Sequence, residues 1–455
     1  MNPVNPVITA PELRELGRTH GTPALLSRLV AGQRTRRLLL LRAVLDAAEA
    51  APPAAARRLR DHWALLETAD RAAPEAVREV LHYPLVGPWA ERSLRLLTAP
   101  TPTPTPTPAP HLSHLGALAA SSAARAAIPF TLHLPAPDGL LSLPTLGAVR
   151  CGAAAATVTM PPSADRLTIT PDRGRPLVIH RRPRGTWRSP DPRWRPLQLF
   201  ATGSRFVPLD DLDPYRSADS RMETYGLSAA ERLSDQDLDR WRDGWHDALP
   251  LLHIGDGQRA VDLEQLLFCV VPLALPAAAI RGGSAHCSGT RRETFGAVLS
   301  SVPHRAPNLA TTMVHELQHG KLGALSHLVP LHTADNQTRH WAPWRPDPRP
   351  FEGLLQGAYS HLALAEYWQT FAMDAKEECA REHAWVEHSR CREQIGAALP
   401  TLAGSGSLTE AGRVLVTEMA AHLGRLKEIP PPSGHLVRAA AYVKESRRAW
   451  RRQYG

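Results

Sequence analysis

The stretch NLATTMVHELQHGKLGALSHLVPLHTADNQTRHWAPWRPDPRPFEGLLQGAYSHLALAEYW, residues 308–368, contains the motif HELQH at His315 to His319. Apolar residues recur around this motif at the spacing of an α-helix, at Leu309, Met313, Leu317 and Leu322. Residues four apart lie on one helix face, so the imidazoles of His315 and His319 can bind the same divalent metal ion, while Glu316 points about 100° away. The sequence therefore predicts a metal site on a helix.

Such a site needs a third ligand, because two histidines do not complete the coordination of a metal ion. The segment from Phe351 to about Phe371 predicts a second helix that packs against the metal helix and offers the candidates. His361 lies one turn from Gly357, where small residues permit a close approach of the two helices. Glu352 and Glu366 share a polar face of the same helix, and either carboxylate is an alternative ligand.

The loop between the two predicted helices, RHWAPWRPDPRP, is too rich in proline for regular structure. Arg345 and Arg349 on this loop can form bidentate contacts with a carboxylate, which makes them candidates for binding a cosubstrate or substrate. The alternative is a surface loop that Trp341 and Trp344 anchor to the protein.

Composition limits the classes of function. The 455 residues are 43% hydrophobic and 21% charged, which is typical of a globular protein, and the net charge of +9 comes from scattered arginines rather than a basic stripe. We therefore expect no nucleic-acid partner. The N-terminus lacks the pattern of a signal peptide, and an apolar run of about 18 residues is absent, so we expect no membrane span.

The five cysteines are odd in number and match neither a C-x-x-C pair nor a disulfide framework, so they predict reduced thiols. Together with the absence of a recognisable signal peptide, this pattern indicates a cytoplasmic protein.

The chain predicts an α+β fold that is mostly helical, with a small antiparallel sheet region. We divide it into an N-terminal helical segment at 1–99, a Pro/Thr linker at 100–110, a β-rich segment at 111–210, a catalytic domain at 211–400 and a C-terminal helical segment at 401–455.

Three local patterns refine the predicted catalytic domain. The segments FCVVPLALP and ETFGAVLSSVP predict two strands, the second ending just before the metal helix. Ser228 to Glu231 has the form of a capping box ahead of the helix SDQDLDRWRDGWHDAL. A strand beside the metal helix is useful, because a free strand edge can bind an extended peptide through backbone hydrogen bonds.

From the motif alone, the default chemistry is hydrolysis by a zinc metallopeptidase. Bound Zn²⁺ lowers the pKa of a water molecule to about 7, and Glu316 would accept its proton as general base. The further ligand signatures of the common zinc peptidases are absent from the chain.

Three separated pieces of the sequence agree in order with a known family: HELQHGKL, then APWRPDPRP, then GLLQGAYSHLALAEYW. Together they resemble the HExxH motif domain of peptide-modification proteins from ribosomal natural-product clusters, which are understood as iron- and 2-oxoglutarate-dependent peptide β-hydroxylases. The resemblance is strongest over residues 308–368 and weak before Leu209.

The resemblance implies that His315 and His319 bind Fe(II), that 2-oxoglutarate is a cosubstrate, and that a ribosomal precursor peptide is hydroxylated at a side-chain β-carbon. An arginine, Arg345 or Arg349, would pair with the distal carboxylate of the cosubstrate. Glu316 would then orient a ligand or a water molecule instead of acting as a general base. A zinc metallopeptidase is the alternative function.

Overall fold

The computed structural model describes residues 8–49, 53–99, 111–217, 227–275, 286–302 and 305–454. Over these residues the fold is α+β and mostly helical, as the sequence predicts. The predicted linker at 100–110 lies outside the described residues, and the division into five segments stays a prediction. No helix in the described part of the chain is both long and apolar enough to cross a membrane.

The helices of the described residues are α1 Ala10–Gly17, α2 Pro23–Ala48, α3 Pro53–Ala72, α4 Pro74–Leu81, α5 Val86–Thr98, α6 His114–Arg125, α7 Asp235–Leu252, α8 Gln258–Leu266, α9 Ala306–Leu328, α10 Phe351–Asp374, α11 Glu378–Ala403, α12 Glu410–Lys427 and α13 His435–Tyr454. Proline marks several of their starts. Pro307 lies in the first turn of α9, and Pro350 directly precedes α10, where its missing N–H costs no helical hydrogen bond.

The strands are β1 Phe130–Pro135, β2 Leu140–Leu143, β3 Gly147–Arg150, β4 Ala155–Met160, β5 Arg166–Pro171, β6 Leu177–Arg181, β7 Trp187–Arg188, β8 Trp194–Pro196, β9 Gln198–Thr202, β10 Arg205–Leu209, β11 Cys269–Leu273, β12 Ser288–Gly289 and β13 Ala297–Ser301. Two sheets are antiparallel, in the orders β1-β4-β5-β6-β7 and β2-β3-β8. Both lie in the segment where the sequence predicts hairpins.

The third sheet, in the order β12-β13-β11-β10-β9, is mixed, because β11 runs parallel to both β10 and β13. Strands β11 and β13 are the two predicted from FCVVPLALP and ETFGAVLSSVP, and every residue of both is buried. Strand β13 ends five residues before α9 begins, and the edge strand β12 also contacts α9. The sheet therefore lies against the helix that carries the HExxH motif.

One prediction about a helix start is wrong. Ser228 to Glu231 does not cap a helix, because Ala230 forms an antiparallel bridge with Leu273 and this part of the chain is extended. The capping box is formed by Ser234, which directly precedes α7, and Asp237 in the first turn of that helix. The Ser234 hydroxyl accepts a hydrogen bond from the Asp237 amide.

Helix α9, which carries the HExxH motif, lies in the largest hydrophobic cluster of the described residues. Leu309, Met313, Leu317 and Leu322, the apolar residues at helical spacing, are all buried there. The same cluster includes residues of α1 and α2 and most of the buried face of α10. Packing on these sides holds α9 in place, so its histidines need not contribute to the core.

Candidate metal centre

His315 and His319 lie next to each other on α9, as helical spacing requires. Their ring centroids are 4.6 Å apart and the ring planes are nearly perpendicular, at 89°. Both side chains are partly exposed, whereas Glu316 between them is buried, with 2% of its surface accessible. The two imidazoles thus reach an accessible edge of the core while the carboxylate points into it.

The helix α10 brings His361 to the same place. Its ring centroid lies 5.6 Å from that of His315. Two imidazoles on one tetrahedral metal ion have centroids about 5 Å apart when the metal–nitrogen distances are about 2.0–2.1 Å. The separations of 4.6 and 5.6 Å within this three-histidine cluster bracket that value. The possible ligand atoms that lie within 4.8 Å of one another are those of His315, Glu316 and His319, and His361 is not in that group.

Each histidine of the cluster directs its Nδ1 atom at an acceptor oxygen. Nδ1 of His315 lies 3.0 Å from Oε1 of Glu316, and Nδ1 of His361 lies 2.9 Å from the Gly357 carbonyl oxygen. Nδ1 of His319 lies 3.1 Å from Oε1 of Gln356. These acceptors place the proton on Nδ1, which leaves the lone pair of each Nε2 atom available to a metal ion.

The Gln356 amide has a defined orientation in this arrangement. Its Nε2 group donates to Oε1 of Glu352 at 3.0 Å, and a carboxylate can only accept, so the amide oxygen faces His319. Oε2 of Glu352 lies 2.7 Å from Nε2 of His332. The Glu352 carboxylate therefore supports the cluster through Gln356 and is engaged by His332 on its other oxygen.

Burial and the neighbouring His315 keep the imidazoles of His319 and His361 neutral. Burial lowers the pKa of His319 to about 4, and the neighbouring His315 acts in the same direction. Burial also holds the pKa of His361 well below its usual range, again with a contribution from His315. Neutral imidazole is the form that binds a metal ion.

Glu316 is ionised despite its burial. Burial alone would raise its pKa, but the adjacent His315 and the hydrogen bond from it outweigh that effect, so the pKa of Glu316 lies below the ordinary value. The Ser288 hydroxyl on β12 also donates to Oε1, at 2.8 Å. The other oxygen, Oε2, is buried and forms no hydrogen bond to the residues that the structure describes.

Trp344 connects the proline-rich loop to the cluster. Its indole stacks on the imidazole of His361, with centroids 4.6 Å apart and planes 25° from parallel. A Cβ atom at Gly357 would lie only 2.2 Å from the Trp344 ring, so glycine is required for this close approach. The stack and the hydrogen bond to the Gly357 carbonyl together fix the orientation of His361.

The two loop arginines differ in position. Arg345 is 41% exposed, and its Nε donates to Oδ1 of Asp347 at 2.8 Å. Arg349 is 26% exposed, pairs with the other oxygen of Asp347 at 3.5 Å, and its charge is among the smaller contributions that lower the pKa of His319. Of the two predicted arginines, Arg349 is the one whose charge contributes to the lowered pKa of His319.

Glu366 lies elsewhere. Its carboxylate contacts His20, Arg259 and His422 instead of the HExxH histidines. Glu366 is five positions after His361 on α10, which places the two side chains on different faces of that helix. Of the three candidate third ligands, the structure brings His361 to His315 and engages both glutamates with other partners.

The far face of α9 is anchored by charge. Lys321, fully buried, lies 2.7 Å from Oδ1 of Asp262 on α8 and donates to the Thr19 carbonyl at 2.9 Å. Gln318 donates to the other oxygen of Asp262 at 2.8 Å. Burial lowers the pKa of Lys321 to about 8, while Asp262 opposes that shift. These contacts fix the rotation of α9 and hence the direction of its histidines.

Sequence reasoning missed Ser288 and Gln356 as residues of the centre, and it named Gly357 and Trp344 without predicting the contact between them. Of these residues, only Gly357 can be linked to His361 from the sequence, because it lies one turn earlier on the same helix. Trp344 was considered only as an anchor of the loop.

Comparison of the chain with protein-family models finds no match, and comparison with curated proteins finds none either. The geometry of the cluster is therefore the main basis for an assignment of function.

Proposed function

We propose that the protein is an Fe(II)- and 2-oxoglutarate-dependent enzyme that hydroxylates a side-chain β-carbon in a ribosomally made precursor peptide. The observation that carries the proposal is the set of three histidines, His315, His319 and His361, whose Nδ1 atoms all face acceptor oxygens. Three imidazole nitrogens suit a divalent first-row metal ion such as iron or zinc. The sequence resemblance favours iron.

The donor set fits such an ion by its chemistry. All three imidazoles are partly exposed, so the site can be reached by a cosubstrate and a peptide. Bound Fe(II) together with 2-oxoglutarate would supply the oxidising power to insert one oxygen atom of O₂ into a C–H bond, with 2-oxoglutarate converted to succinate and carbon dioxide.

The residues around the histidines have defined tasks in this proposal. Arg349, whose charge contributes to the lowered pKa of His319, pairs with the distal carboxylate of 2-oxoglutarate through its guanidinium group. Glu316 accepts the Nδ1 proton of His315 and holds that ring in place, and Gln356 does the same for His319. Trp344 keeps His361 in position by stacking.

We place the reaction in the cytoplasm, where ferrous iron and free thiols are maintained. All five cysteines are free, and four of them are buried. The proposed partner is a precursor peptide rather than a nucleic acid or a membrane.

A zinc metallopeptidase is the second candidate, and one observation favours it. Oε2 of Glu316 forms no hydrogen bond to any described residue, so one oxygen of this carboxylate has no protein partner that would compete for a proton. Three histidine ligands with an open position are also a known arrangement for catalytic zinc.

The products separate the two candidates. Protein freed of metal is loaded anaerobically with Fe(II), mixed with 2-oxoglutarate and with the precursor peptide encoded beside its gene, and exposed to air. A peptide heavier by one oxygen atom, formed only when iron and 2-oxoglutarate are both present, supports the hydroxylase. Peptide fragments that form with Zn²⁺ and without 2-oxoglutarate overturn it in favour of the peptidase.

A further inference from the structure

A second cluster of imidazoles and a carboxylate lies where the connection between α1 and α2 meets α10 and α12. His20 comes from the connection, Glu366 from α10 and His422 from α12. Nε2 of His20 lies 2.9 Å from Oε1 of Glu366, and Nε2 of His422 lies 3.4 Å from the same oxygen. One possible ligand atom from each residue lies within 4.8 Å of the others.

These separations match those of ligands around a metal ion. Neighbouring ligand atoms about 2.0–2.2 Å from a metal are about 3.0–3.5 Å from each other in tetrahedral or octahedral geometry. His422 is 94% buried, yet its Nε2 forms no aligned hydrogen bond to any residue in the described part of the chain. This buried nitrogen lies 3.4 Å from a carboxylate oxygen without an aligned hydrogen bond to it, a separation at which one metal ion can bind both atoms.

The surroundings orient the cluster. Arg259 binds Oε2 of Glu366, and Oε1 faces both histidines; Nε2 of His20 also lies 3.1 Å from Oε2. Oδ2 of Asp256 lies 4.0 Å from Nδ1 of His20, on the side where a carboxylate favours a protonated Nδ1. Nη2 of Arg425 lies 3.4 Å from Nδ1 of His422 and also donates to Glu418 at 2.8 Å. Metal binding at Nε2 of His422 places the ring proton on Nδ1, so Arg425 must then give up this long contact and keep the one to Glu418.

A cavity of about 230 Å³ adjoins the carboxylate of Glu366. Its lining includes Asp256, Arg259, Tyr367 and Thr370. The cavity has room for water or a small ligand beside Glu366, and neither His20 nor His422 is among its lining residues.

We propose that His20, Glu366 and His422 form a second site for a divalent transition metal ion, separate from the HExxH centre. Two imidazoles and one carboxylate are ligands that zinc and ferrous ions both accept. Because the three ligands come from separate elements, the ion cross-links the N-terminal helices to α10 and α12. This site does not depend on the function proposed above.

The test isolates the second site in a variant of the full chain that lacks the first, His315→Ala together with His319→Ala. Zn²⁺ alone is the probe, and its affinity is measured by competition with a coloured chelator. Adding His20→Ala should weaken the remaining Zn²⁺ binding more than about 100-fold. Loss of a residue that only hydrogen-bonds to a metal-bound histidine already lowers metal affinity by about 10- to 100-fold, and His20 is proposed to bind the ion directly. The matched control is His246→Ala, which removes an exposed histidine of α7.

His20 is partly exposed, so its replacement leaves the core intact; His422→Ala, at a buried position, serves as the second variant. Zn²⁺ should raise the midpoint of thermal unfolding of the parent variant and of the His246 control, and leave both cluster variants unchanged. Equal Zn²⁺ affinity in the His20 variant and the His246 control would overturn the second site. Absence of Zn²⁺ binding by the parent variant would overturn it as well.

Discussion

Replacing Gly357 with alanine tests how the proline-rich loop supports the metal centre. The new Cβ atom would lie 2.2, 2.4 and 2.6 Å from three atoms of the Trp344 indole. Ordinary van der Waals contacts of a Cβ atom begin near 3.4 Å. The indole must therefore move by roughly 1 Å, which breaks its stack on His361.

The change affects stability and metal binding differently. Overpacking costs about 1–3 kcal/mol, and the better helix propensity of alanine offsets about 1 kcal/mol of that cost, so unfolding free energy should fall by about 0–2 kcal/mol. Loss of a contact that orients a metal-binding histidine costs about 10- to 100-fold in metal affinity. The fold should thus persist while Fe(II) binding weakens.

The assay measures Fe(II) affinity anaerobically by chelator competition and unfolding free energy by urea denaturation. The matched control is Gly396→Ala in α11, where an added Cβ meets nothing within 4 Å. The control should gain up to about 1 kcal/mol in stability and keep the parent affinity. If Gly357→Ala binds Fe(II) as tightly as the parent, Trp344 does not position His361 and the reasoning fails.

Three further predictions concern charge. Arg349→Leu should raise the 2-oxoglutarate concentration for half-maximal turnover by about 30- to 1000-fold, because roughly 2–4 kcal/mol of binding free energy is lost. Arg345→Leu, at a more exposed position, should change that concentration little, and equal effects of the two variants would refute the assignment of Arg349 to the cosubstrate. Glu316→Gln should retain measurable peptide hydroxylation, because the new amide oxygen can still accept the hydrogen bond from His315. A loss of activity of about 10²-fold or more would instead indicate that Glu316 acts as a general base. Burial lowers the pKa values of His319 and His388 to about 4, so between about pH 4 and 6.5 the unfolded, metal-free chain binds more protons than the folded one. The free energy of unfolding should therefore fall as the pH falls through that range, and His388→Gln should make this fall less steep. Urea denaturation that gives the same dependence on pH for the variant and the parent would contradict this.

The parts of the fold that depend on local pattern were predictable. The spacing of Leu309, Met313 and Leu317 indicates a helix, and helix geometry alone puts His315 beside His319. The strands β11 and β13 likewise follow from short apolar runs between breaks in the pattern.

Other features depend on contacts between distant segments, which no local pattern contains. Ser228 to Glu231 resembles a helix cap, but pairing of Ala230 with Leu273 keeps the backbone extended. The sequence leaves Glu366 as an alternative to His361 as the third metal ligand, yet its partner His20 is 346 residues away in the chain. The stack of Trp344 on His361 is likewise a tertiary contact, made possible by the missing side chain of Gly357.

The central claim is that His361 completes a metal centre with His315 and His319. The most direct test is anaerobic Fe(II) titration of the His20→Ala variant, in which the second cluster is disabled, with and without His361→Ala. Glu352→Ala in the same background is the control for the alternative ligand. We predict that loss of His361 weakens Fe(II) binding more than about 100-fold, whereas loss of Glu352 weakens it by about 10-fold at most. Retention of the parent affinity without His361, with loss of binding in the Glu352 variant, would contradict the account.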